Sequence, residues 1–465
     1  MQRPTPYPAP PMQRLTSLSL FTCCALVAGC TADAEDVRPP RNELFFPTGL
    51  AMAESAGIAF VTNANSELRW DSGTITVLDL DRVDAAVEAW TTRREIPAGD
   101  QDGDGEIDCE QDPDRSETLT CDEFLFIRDD AGVRIGNFAS EIAVQGLDGG
   151  ALRLIVPTRG DPSVTWVDWD GDRLTCSPGG EPHSLCDEDH RLAFVMNDAD
   201  QPGLPEEPFG VYADTAGEFA MVTHLSSGAV TLIDSPRQGT VQITDVLTGI
   251  FAADSRTGRP SATGVAGRLP NAPGNIVYVG SRSEDRIQTF TVGRPVNDAP
   301  PYMLPGEWFF LNAAGGYSGG SSDTRGMAFS ADGSRLYLVN RMPPTLQVFD
   351  TSIGPTGVPR NTPIGVTDIC RQASTVAISG SGDTERAYVT CFQDGQIFAI
   401  DPRGRVSVED IILVGRGPYS VAAAGARNKL FVTNFLEDTI AVIDIEPGSP
   451  TRNRVVLKIG KARVL

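Results

Sequence analysis

One short pattern recurs seven times along the chain, and this repetition constrains the fold more than any other feature. Each copy has an apolar strand, a turn, a β-rich strand, a polar turn and a third strand that commonly ends in Asp. The copies span residues 46–80, 139–168, 208–234, 262–292, 325–350, 374–401 and 417–445. A fourth short strand fits after most of them, as in VRIGNFA at 133–139 and RVVLKIG at 454–460.

Apolar and polar residues alternate with period two inside each copy, and Gly and Asp mark turns roughly every 8–12 residues, which predicts antiparallel strands. No helical periodicity of useful length appears. A four-stranded unit cannot bury both faces alone, so neighbouring units must stack, and radial closure removes their free edges. We therefore predict an all-β fold over residues 44–465, a seven-bladed β-propeller of four-stranded antiparallel blades. Tandem β-sandwiches are the alternative, but the repeat is shorter than a sandwich domain of about 100 residues.

A motif within the repeat points to a known type of propeller. FVTN occurs at 60–63 and 431–434, each time followed by a strand of the form T-I-x-V-[IL]-D. This combination resembles the YVTN-type β-propeller repeat, which is similar to lactonase-like and surface-layer propellers. Other copies depart from it, with MVTH at 221–224 and YVGS at 278–281. The resemblance implies the fold, but it specifies function poorly because propellers host binding, scaffolding and catalysis.

The first residues are typical of an export signal. Leu15 to Val27 form an apolar run of thirteen, preceded only by the charges of Arg3 and Arg14. This predicts a signal peptide at 1–29. Val27-Ala28-Gly29-Cys30 resembles a bacterial lipobox, which implies lipidation at Cys30 and a flexible tether at 30–43; an ordinary cleaved signal is the alternative. We expect a bacterial cell-envelope protein, lipid-anchored in the outer membrane on a side that the sequence leaves open.

The cysteines support export. Of nine, Cys23 and Cys24 leave with the signal and Cys30 takes lipid, so six remain. Six cysteines allow fifteen connectivities, but locality in sequence favours three pairs. These pairs are Cys109 with Cys121, Cys176 with Cys186, and Cys370 with Cys391.

An acidic insertion at about 96–125 contains GDQDGDGEIDCEQDPD at 99–114. Alternating carboxylates wrap a hard cation, and Gly permits the sharp turn that such a loop needs. The segment resembles thrombospondin type-3 or dockerin-type calcium loops, and Ca²⁺ is therefore the expected cofactor, in a stabilising role. A hydrated acidic loop is the alternative. The candidate ligands are Asp100, Asp102, Asp104, Glu106, Asp108 and Asp112.

The antiparallel meander of a propeller brings the ends of all second strands to one face. Arginines and phenylalanines recur at these ends, and Arg suits carboxylate or phosphate groups in bidentate geometry. The alternative is that each arginine pairs with a local acid such as Asp161, Glu284 or Asp285. The predicted binding face consists of Asn63, Arg159, His224, Arg282, Arg341, Phe392, Asn434 and Phe435.

Composition and missing motifs narrow the function. The net charge of −24 argues against nucleic-acid binding through a basic face. None of the three histidines lies in C-x-x-C-H and no Walker or Rossmann motif occurs, so we expect neither haem nor nucleotide. The leading hypothesis is a non-catalytic binding or scaffold module for an envelope protein or glycan. The alternative is a lactonase-like hydrolase that uses acid and Arg side chains at the channel mouth, which should show a perturbed carboxylate or His224 converging with arginines in one closed cavity.

Overall fold

The computed structural model describes residues 37–97, 99–103, 105–176, 181–193, 202–253, 257–268, 275–296, 299–311 and 322–462. They form a seven-bladed β-propeller, as the repeat predicts, and every blade contains four antiparallel strands. The predicted signal peptide and the lipidation site at Cys30 lie outside the described residues. Within these ranges, the helices are too short or too polar to cross a bilayer.

The strands are numbered in chain order, and those of the first three blades follow the predicted copies. The first blade contains β1 (Pro47–Ala53), β2 (Ile58–Asn63), β3 (Gly73–Asp79) and β6 (Val133–Ile135). The second contains β7 (Ala143–Gly146), β8 (Leu152–Thr158), β9 (Ser163–Trp169) and β11 (Arg191–Ala193), with β10 (Leu174–Thr175) beside β9. The third contains β12 (Pro208–Asp214), β13 (Phe219–His224), β14 (Val230–Asp234) and β15 (Gln242–Leu247).

The remaining four blades are uninterrupted meanders. The fourth contains β16 (Val265–Gly267), β17 (Asn275–Val279), β18 (Arg286–Gly293) and β19 (Tyr302–Phe310). The fifth contains β20 (Thr324–Phe329), β21 (Arg335–Arg341), β22 (Pro344–Asp350) and β23 (Thr362–Asp368). The sixth contains β24 (Ala373–Ser379), β25 (Arg386–Cys391), β26 (Gln396–Asp401) and β27 (Ser407–Leu413). The seventh contains β28 (Pro418–Ala424), β29 (Lys429–Asn434), β30 (Thr439–Asp444) and β31 (Arg454–Ile459).

The core lies between the blades, because both faces of each second and third strand are apolar and pack against a neighbouring sheet. Phe60 of the first blade meets Trp169 of the second with the ring centroids 5.7 Å apart. The same kind of contact joins the ends of the chain, since Val61 shares a buried cluster with Phe431 and Val442 of the seventh blade. The stack of blades is therefore a closed ring.

The acidic insertion completes this closure. It lies between β3 and β6 and contains a hairpin of β4 (Cys109–Gln111) and β5 (Leu119–Cys121). Strand β5 pairs in parallel with β31, so the first blade adds two strands to the outer edge of the seventh. The predicted Cys109–Cys121 disulfide joins the two strands of this hairpin.

A second insertion covers the next edge in the same way. The loop between β10 and β11 contains the predicted Cys176–Cys186 disulfide and runs along β6 of the first blade. The amide of Arg134 donates to the carbonyl of Ser184 over 2.9 Å, and the amide of Cys186 donates to the carbonyl of Arg134 over 3.0 Å. Each insertion thus shields an outer strand whose unpaired backbone groups would otherwise be open to aggregation. The third predicted disulfide, Cys370–Cys391, is also present.

One α-helix, α1 (Leu80–Glu88), falls outside the sequence prediction, which expected no helix of useful length. The Asp79 carboxylate caps it by accepting from the amides of Asp81 and Arg82. Its buried positions are Leu80, Val83 and Val87, a helical spacing too short to stand out from the strand pattern around it.

Candidate functional site

The first strand of each blade borders the central channel, and one ring of equivalent positions there carries a single charge. This ring consists of Gly49, Glu141, Gly210, Gly264, Gly326, Thr375 and Ser420. All of these except Gly210 line a cavity of about 180 Å³, together with an adjacent apolar ring that includes Leu50, Val265 and Val421. The small residues are required by crowding, since a Cβ on Gly264 would lie 1.9 Å from the carbonyl oxygen of Arg325. In the second blade this position is occupied by Glu141 instead of a small residue.

The carboxyl group of Glu141 has a raised pKa. Burial raises the pKa of its carboxyl to about 7, opposed by a hydrogen bond from the Val211 amide and by the positive charge of Arg325. The residue nevertheless lines the channel cavity and keeps partial solvent exposure. A carboxyl group that titrates near neutral pH is suited to take up and release a proton during a reaction.

Arg325 lies one position before this ring, on β20, and belongs to a stack at the channel mouth. Its guanidinium pairs with Asp323, with Nε 2.8 Å from Oδ1. Its Cζ lies 5.8 Å from the ring centroid of Phe209, and Cζ of Arg159 lies 6.0 Å from the same centroid. Phe209 therefore contacts two cations and holds both near the axis.

Arg341 adds a third guanidinium to the mouth. It donates to the carbonyl of Ala373 over 2.6 Å and to Oγ of Ser374 over 2.7 Å. Burial, followed by repulsion from Arg325, lowers the pKa of Arg341 to about 10, and Arg282 contributes further repulsion. The guanidinium remains charged at neutral pH and has a fixed position.

Two of the local acids named as alternative partners, Asp161 and Glu284, pair with other arginines. Asp161 pairs with Arg191, and Glu284 pairs with Arg286. Among the described residues, no carboxylate forms an ion pair with Arg159 or Arg282.

The mouth gathers four arginines around two carboxylates, those of Glu141 and Asp323. The arginines are Arg159, Arg282, Arg325 and Arg341. This local excess of positive charge in a chain of net charge −24 would attract an anion.

Aromatic rings form the other side of the mouth. Tyr419 stands on β28, and the centroid of its ring lies 6.0 Å from that of Phe435. Phe435 lies 6.2 Å from Phe392 and 5.4 Å from Phe46, again between ring centroids. Burial and the nearby Glu141 raise the pKa of Tyr419, so its hydroxyl stays protonated and can donate a hydrogen bond.

Three residues of the predicted binding face lie in the interior instead. Asn63 donates to Oγ1 of Thr74 and of Thr76, both over 2.8 Å, and Asn434 is likewise fully buried. His224 lies between the carbonyl of Glu206 and the hydroxyl of Thr231. Burial lowers the pKa of His224 to about 4, so it is neutral at physiological pH. These side chains stabilise the strand ends, whereas Arg159, Arg282, Arg341, Phe392 and Phe435 gather at the mouth.

Sequence reasoning missed Glu141, Arg325 and Tyr419, although a signal for them exists. Aligned on the first strands, the copies read PTGL at 47–50, PFGV at 208–211 and TRGM at 324–327. Glu141 occupies the glycine position of this pattern, and Arg325 and Tyr419 occupy the position before it. The predicted binding face was drawn from the second strands alone.

The acidic loop brings together part of the predicted calcium-ligand set. Carboxylate oxygens of Asp100, Asp102 and Asp108 lie within 4.8 Å of one another, and Asp108 is buried. Glu106 pairs with Lys461 over 3.4 Å, and Asp112 accepts from the amides of Asp114 and Arg115. Asp104 lies outside the described residues. Calcium binding by this loop stays a prediction.

Comparison with known proteins confirms the fold and does not assign an activity. No family model and no curated protein matches this chain. A solved structure of a putative 6-phosphogluconolactonase from Bacteroides fragilis aligns with a TM-score of 0.54 at 13% identity, over 90% of this chain and 97% of that one. A periplasmic gluconolactonase from Pseudomonas aeruginosa aligns at 0.50 and 16% identity, over 69% and 85% respectively. A β-propeller domain from Myceliophteria thermophila also reaches 0.50, at 9% identity, over 86% and 96%. At these identities the likeness concerns the propeller alone.

Proposed function

We propose that this protein is a lactonase-like hydrolase that acts on a small anionic lactone or ester at the channel mouth. The observation that carries the proposal is Glu141, a carboxyl group of pKa about 7 that lines the channel cavity beneath a group of arginines. The combination of a carboxyl group of raised pKa with the nearby positive charge of Arg325 supports an enzyme rather than a non-catalytic binding surface.

The chemistry requires only groups of this chain and water. The arginines would hold the anionic part of the substrate, and ionised Glu141 would take a proton from water as that water attacks the acyl carbon. The oxyanion formed on the carbonyl would be stabilised by a guanidinium. The acyl C–O bond then breaks, and the leaving oxygen takes the proton that Glu141 accepted from water, which restores the carboxylate. A lactone gives a hydroxy acid, and an ester gives an acid and an alcohol.

The test compares lactones that differ in charge. Purified protein is offered neutral, carboxylate-bearing and phosphate-bearing lactones, and acid release is followed in a pH-stat. We expect turnover of an anionic lactone whose kcat/KM rises with pH through about 7, because Glu141 must be ionised. In Glu141→Gln, kcat should fall at least about 100-fold. Anion binding without turnover of any lactone would instead support the non-catalytic binding module.

The proposed setting of this activity is the bacterial cell envelope. The support is the apolar run from Leu15 to Val27, which precedes Cys30, and the three disulfides, which persist in oxidising compartments. Expression of the full chain in a bacterial host should give a protein that partitions into detergent and carries labelled palmitate. The Cys30→Ser variant should lose the label, and a label retained in that variant would refute lipidation at Cys30.

A further inference from the structure

A groove leads outward from the channel mouth between the sixth and seventh blades, with a volume of about 560 Å³. Its walls come from three connections on the same face as the mouth, at residues 392–395, 415–417 and 436–437, together with the end of β27. Phe392 belongs both to this groove and to the aromatic side of the mouth. Phe392 therefore joins the groove to the aromatic side of the mouth.

Apolar groups dominate what the groove presents. Leu413 and Leu436 both line it, and 53% and 37% of their surfaces, respectively, are exposed to solvent. Gly395, Gly415 and Gly417 also line it, so the backbone there carries no side chain. Exposed leucines beside an aromatic ring in a concave site are typical of a surface that binds an apolar group.

Three of the charged groups in the lining are already engaged by the protein, since Arg416 pairs with Glu437 over 3.6 Å. The guanidinium of Arg115 donates to the carbonyl of Leu413 over 2.8 Å, and the Glu437 carboxylate lies 2.8 Å from Nζ of Lys458. Gln372, Gln393, Asp394 and Arg416 complete the lining. Arg115 comes from the acidic insertion of the first blade, so the segment that closes the ring also shapes this groove.

We propose that the groove binds the apolar tail of the ligand whose anionic head lies among the arginines of the mouth. This inference rests on the proposed function and narrows its substrate class to anionic acyl compounds with an alkyl chain. The shared residue Phe392 selects this occupant, because a tail that leaves the mouth on its aromatic side meets Phe392, which lines the groove together with Leu413 and Leu436.

The test uses straight-chain carboxylates, from acetate to octanoate, titrated calorimetrically into the full-length protein below their micelle concentrations. Affinity should rise by up to about fourfold per methylene until the groove is filled, which corresponds to about 0.8 kcal/mol per buried CH₂. In Leu413→Gln and Leu436→Gln, octanoate should bind about tenfold more weakly while acetate binds as before. Leu304→Gln, at an equally exposed leucine on β19 of the fourth blade, is the matched control.

The outcomes separate this inference from the proposed function. The inference would be overturned if the affinity for carboxylates depended on chain length equally in the two groove variants and in the Leu304→Gln control. It would also be overturned by affinity that does not change with chain length in the unmodified protein, since acetate would still report a working anion site. If no carboxylate and no inorganic phosphate binds at all, the anion site of the proposed function fails as well.

Discussion

The hydroxyl of Thr118 donates a hydrogen bond to the backbone carbonyl of Val455 over 2.7 Å, across 337 residues of sequence. Next to it, the amide of Gly460 donates to the carbonyl of Cys121, also over 2.7 Å. Both bonds join the inserted hairpin of the first blade to the outer strand of the last. A segment outside the repeat therefore contributes to ring closure, together with the packing of Val61 against Phe431 and Val442.

Removal of the Thr118 hydroxyl should weaken this closure. In Thr118→Val the buried hydrogen bond is lost while shape is kept, and we expect the free energy of unfolding to fall by about 1 kcal/mol. Urea unfolding followed by tryptophan fluorescence measures the change. Thr257→Val, at an exposed threonine, is the control and should leave stability within about 0.5 kcal/mol. An equal effect in both variants would mean that the hairpin contributes nothing specific to closure.

Ionisation of the Glu141 carboxyl should lower the free energy of unfolding at pH 7 and above. Its pKa is raised from 4.5 to about 7 in the folded state, so between these values the unfolded chain releases a proton that the folded chain retains. The contribution of Glu141 to the free energy of unfolding therefore falls as the pH rises from about 4.5 to 7, and it is constant above pH 7. Glu141→Gln should be more stable than the unmodified protein at pH 8, by up to about 3 kcal/mol, and nearly equal to it at pH 4.

The measurement is urea unfolding at both pH values, with Glu110→Gln, an exposed acid of the insertion, as the control. If Glu141 had only a structural role, its substitution would lower the free energy of unfolding of the protein. Loss of hydrolysis together with a gain in stability at pH 8 is what a functional carboxylate predicts. A Glu141→Gln variant that is less stable at pH 8 would contradict the assigned pKa.

The fold could be predicted because its determinants are local, whereas much of the site depends on distant contacts. Alternation and turn residues within about 30 positions define each blade, and the cysteine pairs are close in sequence. The hydrogen bond from Arg115 to the carbonyl of Leu413 spans 298 residues, and no local sequence pattern in either segment predicts it. Glu141 was missed for a different reason: it interrupts a glycine position whose importance is visible only when the first strands surround one axis.

Arg159 and Arg282 should contribute directly to anion binding. Because no described carboxylate pairs with either, Arg159→Gln and Arg282→Gln should each weaken phosphate or acetate binding about tenfold, through loss of a charge-assisted hydrogen bond. Calorimetric titration gives the affinity, and thermal unfolding reports whether the fold is retained. Arg237→Gln, whose guanidinium pairs with Asp148 and Glu218, is the control. Unchanged affinity in both variants would remove these arginines from the site.

Calcium, if it binds the acidic loop, should strengthen ring closure as well as the loop itself. The amide of Asp122 donates to the carbonyl of Asp108 over 2.8 Å, so the proposed ligands adjoin the hairpin that pairs with β31. At a free Ca²⁺ concentration 100 times Kd, the free energy of unfolding should rise by about 2.7 kcal/mol relative to protein in EDTA. Asp102→Asn should remove most of this gain, and Glu110→Gln should keep it.

The coupling between loop and closure gives the sharper readout. If calcium acts through the hairpin, the stabilisation by Ca²⁺ should be smaller in Thr118→Val than in the unmodified protein, because the two changes affect one packed unit. Additive effects would mean that the metal orders only residues 100–108. An absence of any calcium-dependent change in unfolding would favour the hydrated acidic loop, and Asp100, Asp102 and Asp108 would then converge without a cation.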